Sequence, residues 1–346
     1  MNLKQFYFLY RFLFVSKQNF YTLKNRLHHI QINGFKTETG FTSNFDLTYQ
    51  LFGLPLHSAP IVLVSHALTG NSEVTGENGW WKGIIGESKL IDTRKYTILA
   101  FDIPGNGYDK SSNKLIKNYK DFKPRDIAKL FGLGLKKLNI DLIYAAIGPS
   151  LGGGIVWEIA VLFPDLITNL IPLGSDWKTS DWIIAHNLTQ EQILNNSKRP
   201  MHDARLMAML FYRTAASFKH RFNRSVNEEK GIFNSESWLL HHGNRIEERF
   251  DLESYQLMNH LLTHIDITRG RGDFEDVAKL IKAKITQVVI DTDIFFVREE
   301  NIETAKILDQ LGIENDLKEI KSIYGHDGFL IEFDQLNELL KHIFDA

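Results

Sequence analysis

Residues 143–160, "IYAAIGPSLGGGIVWEIA", constrain the fold more than any other stretch, because an apolar run ends there in glycines around Ser150 and a second run begins at once. The first run is typical of a buried strand, and the second begins a helix. A tight turn of the form Gly-x-Ser-x-Gly between them lifts a serine hydroxyl clear of the backbone at a helix N-terminus, which favours negative charge. The pattern predicts a nucleophile at Ser150, with the Leu151 amide facing an oxyanion. A plain glycine-rich helix entry is the alternative.

The rest of the chain repeats this alternation of apolar runs. The stretches 60–71 and 96–108 each predict a buried strand followed by a loop. Further strands are predicted at 167–175, 284–296 and 317–320, an alternating strand at 45–51, and helices at 127–138, 302–311 and 333–344. Strands that alternate with helices predict the α/β class, with a mostly parallel sheet and helices on both faces. Residues 176–283 show helical patterns alone. We therefore expect a helical lid insertion, 176–283, between two core segments, 29–175 and 284–346.

Composition excludes several kinds of protein. The 346 residues are 43% hydrophobic, carry a net charge of −2 and include no cysteine, which rules out disulfides, thiolate metal sites and a cysteine nucleophile. The charge gives no sign of a nucleic-acid surface. Residues 1–28 contain "FYFLYRFLFV", which is too short to span a bilayer, so an N-terminal extension is predicted there. A transit peptide or a membrane-surface helix is the alternative, and we expect a cytoplasmic protein that binds no membrane.

A serine nucleophile needs a histidine base and a carboxylate that orients the base. The strand at 284–296 ends in "VVIDTDIFF", which offers Asp291 and Asp293, and "YGHDGFL" places His326 in a glycine-flanked loop before the last helix. The order serine, acid, histidine is that of α/β-hydrolase folds. The loop "SHALTGN" after an early strand offers a second oxyanion amide at Leu68, with a simple tight turn after the strand as the alternative.

These stretches together resemble the homoserine O-acetyltransferase family of α/β-hydrolase-fold acyltransferases. The matching words, in order from about residue 29, are "SHALTGNSEV", "GWWKGIIGESKLIDTRKYTIL", "GPSLGGG", "RLMAMLFYRT", "RFDLESYQLMNHLLTHIDITRG", "TDIFF" and "GHDGFL". The resemblance implies a catalytic triad of Ser150, Asp293 and His326, with Asp293 preferred to Asp291. It also implies that Arg205, Tyr212 and Asp327 contact the substrate. Opposite charges at such positions suit a zwitterionic amino acid.

The implied activity is transfer of an acyl group, expected to be acetyl, from acyl-CoA to the hydroxyl of L-homoserine through an acyl-serine. The resemblance places this reaction in methionine biosynthesis and implies no metal or prosthetic group and a homodimer formed through the lid. An esterase for a small ester, a serine or homoserine O-succinyltransferase, and a non-catalytic binding protein are the alternatives.

One stretch departs from the family pattern. Where the family usually carries Cys-Gly-Ser-Thr-Gly-Pro after its second core strand, this chain has "FDIPGNGYDKSS" at residues 101–112. That stretch resembles the Asp-x-Pro-Gly-x-Gly loop of ordinary α/β hydrolases and favours the esterase alternative. Since the loop lies near the acyl pocket in the family, it bears on which acyl donor is accepted.

Overall fold

A central β-sheet organises the structure, a computed structural model that describes residues 27–345. Its strands, numbered in chain order, are β1 (His28–Lys36), β2 (Thr42–Gly53), β3 (Ile61–Ser65), β4 (Ile85–Gly86), β5 (Ile91–Asp92), β6 (Thr97–Phe101), β7 (Ile143–Pro149), β8 (Ile167–Leu173), β9 (Val226–Asn227), β10 (Ile232–Phe233), β11 (Lys284–Ile290) and β12 (Asn315–Ile320). Eight of them form one sheet in the order β1-β2-β6-β3-β7-β8-β11-β12. From β6 to β12 neighbours are parallel, while β1 and β2 add antiparallel pairs at one edge.

Helices cover both faces of this sheet, as its parallel strands require. Those of the core are α1 (Pro124–Lys137), α2 (Leu151–Leu162), α9 (Arg298–Gln310) and α10 (Phe333–Phe344). Successive residues of β3 belong to apolar clusters on opposite faces of the sheet. Leu63 lies in the cluster that includes residues of α1, α2 and α9, whereas Val62 and Val64 lie in the cluster that includes residues of α10. The expectation of a mostly parallel sheet with helices on both faces is confirmed.

The helical stretch between β8 and β11 contains α3 (Asp181–Asn196), α4 (Pro200–Tyr212), α5 (Ala215–Phe222), α6 (Asn234–Arg249), α7 (Leu252–Thr263) and α8 (Phe274–Ala278). Side chains such as Met209 of α4 and Met258 of α7 belong to the same buried cluster as α1 and α2, so the lid shares the apolar core. The expectation that this stretch is purely helical is wrong at β9 and β10. They pair across a turn that closes on Gly231, whose φ is 65°.

The first described strand begins slightly earlier than the predicted core. His28 pairs with Tyr49 in β1, one residue before the expected boundary at 29, and the sequence patterns did not predict β1 at all. The remainder of the predicted N-terminal extension, residues 1–26, lies outside the described residues. No helix between residues 27 and 345 combines the length and the apolar character that crossing a bilayer requires.

Candidate active site

Ser150 lies in the tight turn between β7 and α2. Its φ and ψ of 54° and −124° are a strained conformation that places it directly before the helix N-terminus. A Cβ on Gly148 would lie 2.4 Å from the carbonyl oxygen of Gly152, and a Cβ on Gly152 would lie 2.1 Å from the carbonyl oxygen of Ser65. Both glycines are therefore needed, and the second brings the turn against the end of β3.

The structure brings Ser150, His326 and Asp293 into one hydrogen-bonded chain. Nε2 of His326 lies 3.0 Å from Oγ of Ser150, and its Nδ1 lies 2.7 Å from Oδ2 of Asp293. Because an ionised carboxylate only accepts, Nδ1 carries the proton and Nε2 is left to accept from the serine hydroxyl. All three side chains are buried. This is the geometry in which a histidine can remove the proton of a serine nucleophile.

Backbone amides fix the orientation of Asp293. Its Oδ1 accepts from the N–H groups of Phe295 at 2.7 Å and Phe296 at 3.1 Å, which leaves Oδ2 for His326. Asp291 lies elsewhere: its Oδ1 accepts from the Ser322 N–H at 2.9 Å. Asp293, and not Asp291, is therefore the carboxylate that is hydrogen-bonded to His326.

His326 differs slightly from its predicted setting. It lies in a 3-10 helix, Gly325–Leu330, rather than in an irregular loop. The buried Trp81 donates from Nε1 to the carbonyl oxygen of Phe329 in that helix, at 3.1 Å. The adjacent Trp80 donates to the Asn71 carbonyl oxygen in the loop after β3, at 2.9 Å. The two tryptophans of the "GWW" motif thus hydrogen-bond to two loops of the site.

Two amides beside Ser150 are available to an oxyanion. Within residues 27–345, the N–H groups of Leu68 and Leu151 donate to no backbone or side-chain acceptor. Leu151 is the first residue of α2, where helix N–H groups have no partner in the helix. Leu68 follows β3, whose end contacts the serine turn through Gly152. These amides are suited to bind the oxygen of a tetrahedral intermediate.

Among the predicted substrate residues, Tyr212 and Asp327 lie next to His326, and Arg205 lies next to Tyr212. The ring of Tyr212 lies 5.5 Å from that of His326, and the guanidinium of Arg205 lies 5.7 Å from the Tyr212 ring. Burial raises the pKa of Tyr212, so its hydroxyl stays protonated. Asp327 is already paired, since its Oδ2 accepts from Nε of Arg213 at 2.7 Å. Its Oδ1 has no hydrogen-bond donor among the described residues.

Sequence reasoning missed two arginines of the site. Arg213 directly follows Tyr212 in "FYRT", and Arg249 opens "RFDLESY", so both lay in words already singled out. The Arg249 guanidinium donates to the Thr69 carbonyl oxygen at 3.1 Å, one residue beyond Leu68. Desolvation and the charges of Arg205 and Arg245 lower the pKa of Arg249 to about 10, although the residue as a whole is exposed.

Positive charge exceeds negative charge around Arg205 and Arg249. The ion pairs nearby are made by Arg199, Arg213 and Arg245. Neither Arg205 nor Arg249 pairs with a carboxylate of the described part of the chain. Two cations without a carboxylate partner, one over the Tyr212 ring and one bound to Thr69, favour anionic groups on a ligand that reaches them.

Comparison with known proteins agrees with this architecture. A family model for the alpha/beta hydrolase fold matches residues 60–243. The crystal structure of homoserine O-acetyltransferase from Bacillus anthracis superposes with a TM-score of 0.83 at 18% identity, covering 93% of this chain and 98% of that one. That of esterase E22 gives a TM-score of 0.81 at 17% identity, covering 92% and 99%. At such identities the two structures establish the fold, and the chain is an α/β-hydrolase-fold protein.

Sequence similarity narrows the assignment. The homoserine O-acetyltransferase of Cyclobacterium marinum is 34% identical over 328 residues, which cover 87% of this chain and 89% of the relative. The chain belongs to the homoserine O-acetyltransferase family, which is a family of enzymes.

Proposed function

We propose that this enzyme transfers an acetyl group from acetyl-CoA to the hydroxyl of L-homoserine, as a step of methionine biosynthesis in the cytoplasm. The observation that carries the proposal is a pair of opposite charges around the serine–histidine–aspartate chain. Arg205 lies over the Tyr212 ring, which is 5.5 Å from the His326 ring, and Asp327 directly follows His326 in the chain. A zwitterionic amino acid needs both charges. The name of the relative from Cyclobacterium marinum supports the same acceptor and the same acyl group.

The reaction takes place in two halves. His326 accepts the Ser150 proton as Oγ attacks the thioester carbon, and the oxyanion binds the amides of Leu68 and Leu151. The carbon–sulfur bond then breaks, the CoA thiolate takes the proton from His326, and an acyl-serine remains. In the second half the homoserine hydroxyl gives its proton to His326 and attacks the acyl-serine. Ser150 leaves with that proton, the O-acylhomoserine ester is complete, and no step needs a metal or prosthetic group.

An esterase is the second candidate, because water could replace homoserine in the second half. The loop at residues 101–112 and the fold shared with esterase E22 favour it. The test incubates the enzyme with acetyl-CoA, with and without L-homoserine, and measures thiol, O-acetylhomoserine and acetate. The transferase proposal expects rapid thiol release that depends on homoserine and yields the ester. Acetate at an equal rate in both tubes would support the esterase, and parallel tubes with succinyl-CoA or L-serine identify the donor and acceptor.

Asp327 is expected to direct the acyl group to homoserine rather than to water. In Asp327→Asn the amide oxygen still accepts from Arg213, but the charge that would hold the substrate ammonium is gone. Loss of one charge-assisted hydrogen bond costs about 1.5–3 kcal/mol, so transfer to homoserine should slow by about 10–150-fold. Acylation by acetyl-CoA should change little. The measurement is the ratio of O-acetylhomoserine to acetate for each thiol released.

The control is Asp334→Asn, which removes an exposed carboxylate at the start of α10. It should leave the product ratio unchanged. If Asp327→Asn instead slows the acylation burst as much as it slows transfer, Asp327 supports His326 and does not hold the ammonium.

The lid offers a surface for a second copy of the chain. Among residues 27–345, fourteen large apolar side chains are exposed, and eight of them lie between residues 176 and 283: Trp182, Ile184, Leu188, Leu210, Val226, Phe233, Leu240 and Leu280. A homodimer formed through the lid would cover apolar side chains of this set. We expect sedimentation at twice the 39.9 kDa chain mass. Leu188→Asp should give monomers, and Leu142→Asp, on the core, should not.

A further inference from the structure

His66, at the end of β3, is a buried side chain for which the mechanism above has no use. Its Nδ1 lies 2.8 Å from the carbonyl oxygen of Ala67, and its Nε2 lies 3.0 Å from the amide nitrogen of Ile103. The carbonyl can only accept and the amide can only donate. The ring is therefore neutral, with its proton on Nδ1. Burial lowers the pKa of His66 to about 4, which agrees with a neutral ring at physiological pH.

The bond to Ala67 fixes a peptide plane. The Ala67 carbonyl oxygen accepts both from His66 and from the Gly70 N–H, the latter at 2.8 Å across a tight turn. The C=O of Ala67 and the N–H of Leu68 belong to one planar trans peptide unit and point in opposite directions. Two hydrogen bonds that hold the oxygen therefore also set the direction of the Leu68 N–H.

The divergent loop at residues 101–112 supports this arrangement from the other side. Ile103, which donates to His66, lies in that loop, as do Asp102 and Asn106. The buried carboxylate of Asp102 accepts from the Ser72 amide at 2.8 Å, the Ser72 hydroxyl at 3.0 Å and the Asn106 side chain at 3.0 Å. The turn that carries Leu68 is thus held at His66 and again at Ser72, in both cases by the loop that departs from the family pattern.

We propose that His66 is a positioning residue that aims the Leu68 amide at the oxyanion through the shared peptide plane. The inference builds on the role proposed above for Leu68. His66 does not touch the substrate; it acts through the Ala67 carbonyl, and the loop at 101–112 keeps its ring in place. This gives the divergent stretch a task in transition-state stabilisation, in addition to any contact with the acyl donor.

Two amide substitutions separate the two bonds of His66. The side-chain nitrogen of Asn lies about where Nδ1 of histidine lies, so His66→Asn keeps a donor for Ala67 and loses Ile103. The longer Gln reaches the position of Nε2, so His66→Gln keeps an acceptor for Ile103 and loses Ala67. Removal of a whole oxyanion donor lowers kcat by about 10²–10³-fold. We expect His66→Gln to lose about 10–100-fold in kcat through a misdirected donor, and His66→Asn, which keeps the bond to Ala67 but loses the support of Ile103, to lose only about 2–10-fold.

The assay uses p-nitrophenyl acetate, an activated acetyl ester without CoA, so it does not depend on the choice of natural donor or acceptor. Because an oxyanion forms in both halves of the reaction, acylation and deacylation should slow by a similar factor while KM changes little. Melting temperatures of both variants show whether the fold is retained.

Two results would overturn the positioning role. One is an equal loss of kcat in the two variants; the other is no loss in either while the wild type is active. If His66 had a role in stability alone, both melting temperatures would fall, and there would be no loss of kcat at constant KM. A wild-type protein that releases p-nitrophenol but acetylates neither homoserine nor water from acetyl-CoA would contradict the proposed function and leave the His66 comparison valid.

Discussion

Replacement of Ser150 by alanine is expected to abolish the acyl-enzyme and to lower kcat by about 10⁶-fold, the loss seen when a serine triad loses its nucleophile. The hydroxyl is the group 3.0 Å from Nε2 of His326, and no other nucleophile takes part in the proposed reaction. Alanine fits the strained backbone at φ 54° no worse than serine, and only one hydrogen bond is lost. The fold should therefore survive, and the melting temperature should change by only a few degrees.

Mass spectrometry after treatment with acetyl-CoA should show one added acetyl group on the wild type and none on Ser150→Ala. Ser65→Ala is the matched control, since Ser65 is also buried beside the turn and its hydroxyl has no partner among the described residues. That variant should be acetylated normally. An acetyl adduct on Ser150→Ala would show that another residue is the nucleophile.

The core of the fold was predictable because the apolar residues of buried strands and amphipathic helices follow recognisable patterns in the sequence. The final helix was predicted with the bounds that the structure gives, 333–344, since its apolar residues recur at helical spacing and face the sheet. β1 was not predicted because its alternation of apolar and polar residues is short: it covers Ile30 and Ile32 and is then broken by a register shift before Phe35. Its place is decided by pairing with β2, a contact that no local pattern encodes.

The site was predictable where short sequence motifs, and their order along the chain, identify its residues. Ser150, Asp293 and His326 each follow a parallel strand, and the carboxyl ends of such strands meet at one edge of a sheet. The ion pair between Arg213 and Asp327 joins residues 114 positions apart. The contact of His66 with Ile103 likewise depends on the neighbouring placement of β3 and β6. Only tertiary structure brings such partners together, so sequence alone named one member of each pair or neither.

Asp293→Asn is expected to lower kcat by about 10⁴-fold, by analogy with serine triads generally, and the reason lies in the two backbone amides on Oδ1. The amides of Phe295 and Phe296 require an oxygen at that position, so the asparagine will keep its oxygen there. Its NH₂ group then faces Nδ1 of His326, which must accept. The imidazole proton moves to Nε2, where it prevents removal of the Ser150 proton.

The matched change at the neighbouring carboxylate, Asp291→Asn, separates this effect from a loss of charge near the end of β11. Asp291 accepts from the Ser322 amide at 2.9 Å, and its other oxygen lies 3.9 Å from Nζ of Lys321. Asparagine keeps an acceptor for Ser322, so kcat should fall by no more than a few-fold. Both variants are compared by the rate of the acylation burst with acetyl-CoA, which reports the step in which His326 first removes a proton. If Asp291→Asn lost more activity than Asp293→Asn, Asp291 would be the residue that orients His326 in the working enzyme. Both variants lose one negative charge near the end of β11, but only a change at the orienting residue alters the tautomer of the His326 ring.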